Sequence, residues 1–73
     1  MSKLQNHASL LISGASVLAQ AKIESLKLKQ IMYPSCTRYH EEQITIIQKY
    51  EEYCSKVIEC RNQNLLESIK FDI

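Results

Sequence analysis

The side chains able to do chemistry are few and thinly spread. Cys36 and His40 stand four residues apart, a spacing that puts a thiol and an imidazole on one helix face. That is half of a metal site, or the start of a thiol–imidazole nucleophile. A structural metal needs about four ligands at matched spacing. The remaining candidates, His7, Cys54 and Cys60, supply no second pair, and neither a CxxC nor an HxxxH motif occurs. A cysteine nucleophile also needs a positioned pocket for its electrophile. Glu41–Glu42 and Glu51–Glu52 are adjacent pairs, which diverge on a helix and read as solvated charge. A single Gly leaves no phosphate-cradling loop. The residues therefore point to no enzyme, no cofactor and no metal. Cys54 and Cys60 would lie about 9 Å apart along one helix, too far for a disulfide. Three thiols close no disulfide framework, so all are read as reduced, small apolar residues.

What could position these residues follows from the breakers. The chain has 73 residues, enough for one domain, and only one Gly and one Pro. Long uninterrupted helices fit that count better than short strands with turns. Pro34 lies near the midpoint, cannot continue a helix, and pushes Tyr33 out of the α region. The reading is an all-α, antiparallel two-helix hairpin. The first helix spans about 3–32, the turn 33–36, and the second helix about 37–69. Ser35 or Thr37 is placed to cap the second helix, with Glu41 and Glu42 near its positive end. Gly14 costs about 1 kcal/mol in a helix interior, and two readings stay open: a tolerated or closely packed position, or a hinge at which the first helix bends or splits.

Hydrophobic spacing assigns the faces. In the first helix, Leu4, Ala8, Leu11, Ala15 and Leu18 recur at three and four, and Leu10, Val17, Ala21 and Leu28 form a second row on an adjacent face. In the second, Ile44, Ile47, Cys54, Ile58, Leu65 and Ile69 fall on one face, and Ile46, Tyr50, Tyr53, Val57 and Cys60 on the next. Together the two rows cover about 170° of the second helix, against the roughly 100° that one neighbour can bury. Leftover apolar surface implies a binding partner. The reading places Leu18, Leu28, Ile47, Cys54 and Ile58 in the seam. It turns Leu10, Val17, Tyr50, Tyr53 and Val57 toward the partner, with the tyrosines as anchors.

Charge and hydropathy narrow the partner. The formal charge of +1 argues against nucleic acid, whose affinity rests on clustered basic side chains. Lys22, Lys27, Lys29 and Arg38 are the densest basic group and share no single face. The most apolar stretch, Leu10 to Ala21, is shorter than the roughly 20 residues of a membrane span. No convincing secretory signal is read, and a bacterial cytoplasmic location is expected.

Leu26-Lys27-Leu28-Lys29-Gln30 before the turn, Tyr39-His40-Glu41-Glu42-Gln43 after it, and Tyr50 to Ile58 carry a family resemblance. Over about residues 15–60 the layout resembles the small type III secretion needle co-chaperones, the YscE/PscE/EscE/SsaE group. The turn departs from that pattern, with Pro34 and Cys36 where a Gly-containing turn is more typical. The resemblance implies a co-chaperone that helps a TPR-like chaperone keep a needle subunit soluble and monomeric. Two alternatives stay open: a self-associating, Rop-like four-helix-bundle regulator, and a small phage or plasmid inhibitor.

Overall fold

The computed structural model describes residues 3–73, and the secondary structure there is entirely helical: α1 (Lys3–Met32), α2 (Arg38–Glu59) and α3 (Gln63–Ser68). The long helices α1 and α2 pack as a hairpin in a rod 47 × 15 × 14 Å. At the turn end, Gln43 of α2 donates to Gln30 of α1 at 2.9 Å.

The turn needs no glycine. The Cys36 amide donates to the Tyr33 carbonyl at 3.0 Å, with Pro34 and Ser35 at the corners. Proline is preset for the first corner, and no described residue has a positive φ. The Tyr33 amide still bonds the Lys29 carbonyl at 2.9 Å and so closes α1. Thr37 is the N-cap of α2, but its side chain makes no capping bond. The first turn is held instead by the Arg38–Glu42 pair at 3.0 Å. The Glu42 carboxylate raises the Arg38 pKa by hydrogen bond and charge.

One open reading of the helices is decided and one expectation is corrected. α1 runs through Gly14 without a break. A helix of this length carries one poor residue because many ladder bonds flank it and a packed face holds it. α2 stops at Glu59 rather than continuing to 69. Cys60 adopts extended backbone, and its thiol donates to the Asn62 carbonyl at 3.2 Å. Asn62 then starts α3, accepting the Asn64 amide at 2.8 Å. The break has a packing cause. Val57 and Leu66 are nine residues apart, so one continuous helix would put them about 180° apart. In the structure both are buried, at 1% and 0% exposure, in one cluster with Ala15 and Tyr53.

Residues 69–73 run back along the hairpin. Phe71 stacks at 5.2 Å on Tyr53 and meets Tyr50 edge-on at 6.1 Å. Ile73 packs against a second cluster, Ala19, Leu26 and Ile46. Ala15 and Ala19 are the small residues of α1 that give the Tyr53 and Ile46 side chains room. The core is therefore a hairpin seam plus a strap laid over one side of it.

Candidate protein-binding surface

The strap decides which faces stay open. Phe71 and Ile73 line grooves shared with Lys22, Lys49, Tyr53 and Lys56. The opposite side of the hairpin is not covered. There Gln20, Ile23, Glu24 and Lys27 of α1 face Gln43 and Ile47 of α2 across a shallow groove of about 460 Å³.

The seam assignment from sequence is reversed on α2. Tyr53 and Val57, expected to face a partner, are buried in the hairpin. Tyr50 is half-buried against Phe71. Leu18, Leu28, Ile47 and Ile58, expected in the seam, are exposed at 57%, 64%, 45% and 71%. Cys54 is half-buried. The cause is the aromatic strap: the Tyr50–Tyr53–Val57 face gains Phe71, Leu66 and Ile73 as neighbours, which outweighs the greater hydrophobicity of the isoleucine face. Leu10 and Val17 lie on the surface, 72% and 65% exposed. Their row lies opposite the seam, not adjacent to it. At about 100° per residue, Leu10 and Leu28 sit about 140° to 180° from Ala15, Ala19 and Leu26.

On α2 the residues of the outer face, with the half-buried Cys54 among them, form a register. Ile44, Ile47, Glu51, Cys54 and Ile58 follow each other at three and four, the a/d spacing of a helix seam. Ile44, at 43%, joins Ile47 and Ile58 as exposed isoleucines on this stripe. Glu51 interrupts it at the middle. Sequence reasoning found Ile47, Cys54 and Ile58 as one apolar row but assigned them to the seam. What separates the two faces in the structure is the packing of Leu66, Phe71 and Ile73 on the Tyr-bearing side.

The comparisons do not place the chain. No family model, curated protein or solved structure matches it.

Two phenols report on the interior. Burial pushes the Tyr53 pKa above its ordinary value, with a smaller contribution from Cys54. Tyr50 is raised chiefly by its hydrogen bond with Cys54 and then by burial, while Ser16 pulls it down. His7 sits at the far end of the rod, with its Nδ1 at 2.5 Å from Gln63 Nε2. Cys36 is half-buried and His40 exposed. Among the described residues no group of three or more His, Cys, Asp or Glu converges for a metal ion. No described helix is long and apolar enough to cross a membrane.

Proposed function

We propose that this chain is a non-enzymatic protein-binding hairpin that buries the outer stripe of α2 against a helix of another protein. The observation that carries the reading is the exposed Ile44–Ile47–Ile58 stripe at seam spacing. Full burial of an Ile side chain contributes about 1.5–3 kcal/mol, and these three are nearly half exposed or more. Glu51 gives the stripe selectivity. Two copies of the stripe laid antiparallel about its centre would bring Glu51 against Glu51, and an in-register parallel pair would do the same. A helix with apolar residues at a/d and a Lys or Arg at the matching position would instead pair with it.

Such a surface suits a co-chaperone that masks an amphipathic helix or stabilises a larger chaperone. The type III secretion reading is the specific form of this proposal, with a TPR-like chaperone and a needle subunit as partners in a bacterial cytoplasm. The test is capture from the native host with tagged wild-type chain, followed by mass spectrometry and a binding isotherm with the recovered protein. A 1:1 complex that is lost in Ile47→Asp and Ile58→Asp supports the reading. Recovery of only the chain itself, or of RNA, defeats it. Recovery of a partner other than the needle subunit and its chaperone would retain the binding module and remove the secretion role.

A further inference from the structure

A second apolar surface lies on α1 and faces away from the hairpin. Leu10, Val17, Ala21 and Leu28 recur at seven, four and seven, so they share a stripe about 40° wide. Leu10, Val17 and Leu28 are 72%, 65% and 64% exposed, and Met32 extends the stripe at 69%. Gly14 lies on the same stripe, and a Cβ built there would meet nothing within 4 Å. Among the described residues no core cluster includes this face.

We infer that this stripe pairs with the same stripe of a second copy, antiparallel, with the two-fold axis at Ala21. Size is the first argument. Rotation about Ala21 sets Leu28 of one chain over Gly14 of the other, Met32 over Leu10, and Ala21 over Ala21. Leu28 then meets a recess, Leu10 a flexible side chain and Val17 the small Ser25, the large-into-small matching that dense packing requires. The open space at Gly14 is where the partner's Leu28 fits.

Charge is the second argument. Residues 4–21 contain no Asp, Glu, Lys or Arg, whereas Lys22, Glu24, Lys27 and Lys29 follow in one short segment. An antiparallel pair sets each charged segment against the partner's uncharged one. A parallel pair would put Glu24 against Glu24 and the lysine segments side by side. Opposed helix dipoles add in the same direction.

Area fixes the strength. The stripe from Leu10 to Met32 is about 33 Å long, and a helix is about 10 Å wide. Pairing two such stripes buries roughly 700 Å² in total, below the roughly 1,200 Å² of stable interfaces. The dimer is therefore weak and reversible, and forms only at high protein concentration.

Sedimentation equilibrium of the whole chain, from about 5 to 500 µM, tests this. The wild-type mass should rise from 8.5 kDa toward twice that value. Leu28→Asp and Gly14→Lys should each weaken the dimer at least tenfold. Lys is a better helix former than Gly, so loss of the dimer in Gly14→Lys cannot arise from unfolding, and circular dichroism checks this. Combining both changes should restore dimerisation, because each new carboxylate then faces a new ammonium across the antiparallel pair. Ile47→Asp, on α2, should leave the dimer unchanged, which separates this interface from the partner-binding stripe. A wild-type chain that stays at 8.5 kDa throughout overturns the inference. So does a double variant as monomeric as its parents.

Discussion

Leu65 and Leu66 are adjacent leucines in one short helix with opposite fates, and the pair gives a controlled measurement. Leu66 is 0% exposed, inside the cluster of Ala15, Tyr53 and Val57, while Leu65 is 61% exposed. Leu→Ala removes three carbons, each worth about 0.8 kcal/mol when buried, so Leu66→Ala loses roughly 2.4 kcal/mol of transfer free energy. The residual cavity adds to that, and collapse of the short α3 onto the gap subtracts. The expected cost is about 2–3 kcal/mol, at the low end for buried leucines. In a chain this size that lowers Tm by roughly 10–20 °C. Leu65→Ala should cost under about 0.5 kcal/mol. Thermal and urea denaturation by circular dichroism, at low micromolar concentration, reads both. Equal effects from the two variants would refute the docking of α3 and, with it, the explanation for the break after Glu59.

Gly14→Ala should stabilise the monomer by about 0.5–1 kcal/mol, since the helix is regular there and the added methyl meets nothing; urea titration below the dimerisation range checks it. Asn62→Ala removes the side-chain cap of α3 and should cost about 1 kcal/mol, with faster amide exchange confined to residues 63–69. Stability should fall as pH rises through and above 10. Tyr50 and Tyr53 have pKa values raised above 10.0 in the folded chain, so the unfolded chain releases those protons first and is favoured as pH rises. Tyr53→Phe should make the fall shallower in urea midpoints measured across that range; an unchanged slope would remove Tyr53 as a contributor.

The hairpin was legible because two local signals agree. Pro34 gives the turn a preset corner, and the long three-and-four spacing on either side leaves helix as the only element that fits. α1 is observed over Lys3–Met32, as the periodicity places it. The end of α2 was not legible by the same means. Arg61-Asn62-Gln63-Asn64 has neither Gly nor Pro, and the decisive event is the burial of Leu66 on a face that a continuous helix denies it. The choice of seam failed for a related reason. Both faces of α2 carry enough apolar residues to bury. What selects between them is Phe71 on Tyr53, a contact between residues 18 positions apart that no local pattern encodes. The excess of apolar surface was readable; its location depended on the strap.

The strap also constrains how the chain folds as it is made. Ala19 and Leu26 wait for Ile73, and Ala15 waits for Leu66. Until that strap docks, Tyr53 and Val57 lack their cover, beside the isoleucine stripe that stays open in the finished molecule. The half-folded hairpin is thus greasier than the mature one, and a holding chaperone or an early-arriving partner would meet it at its most adhesive.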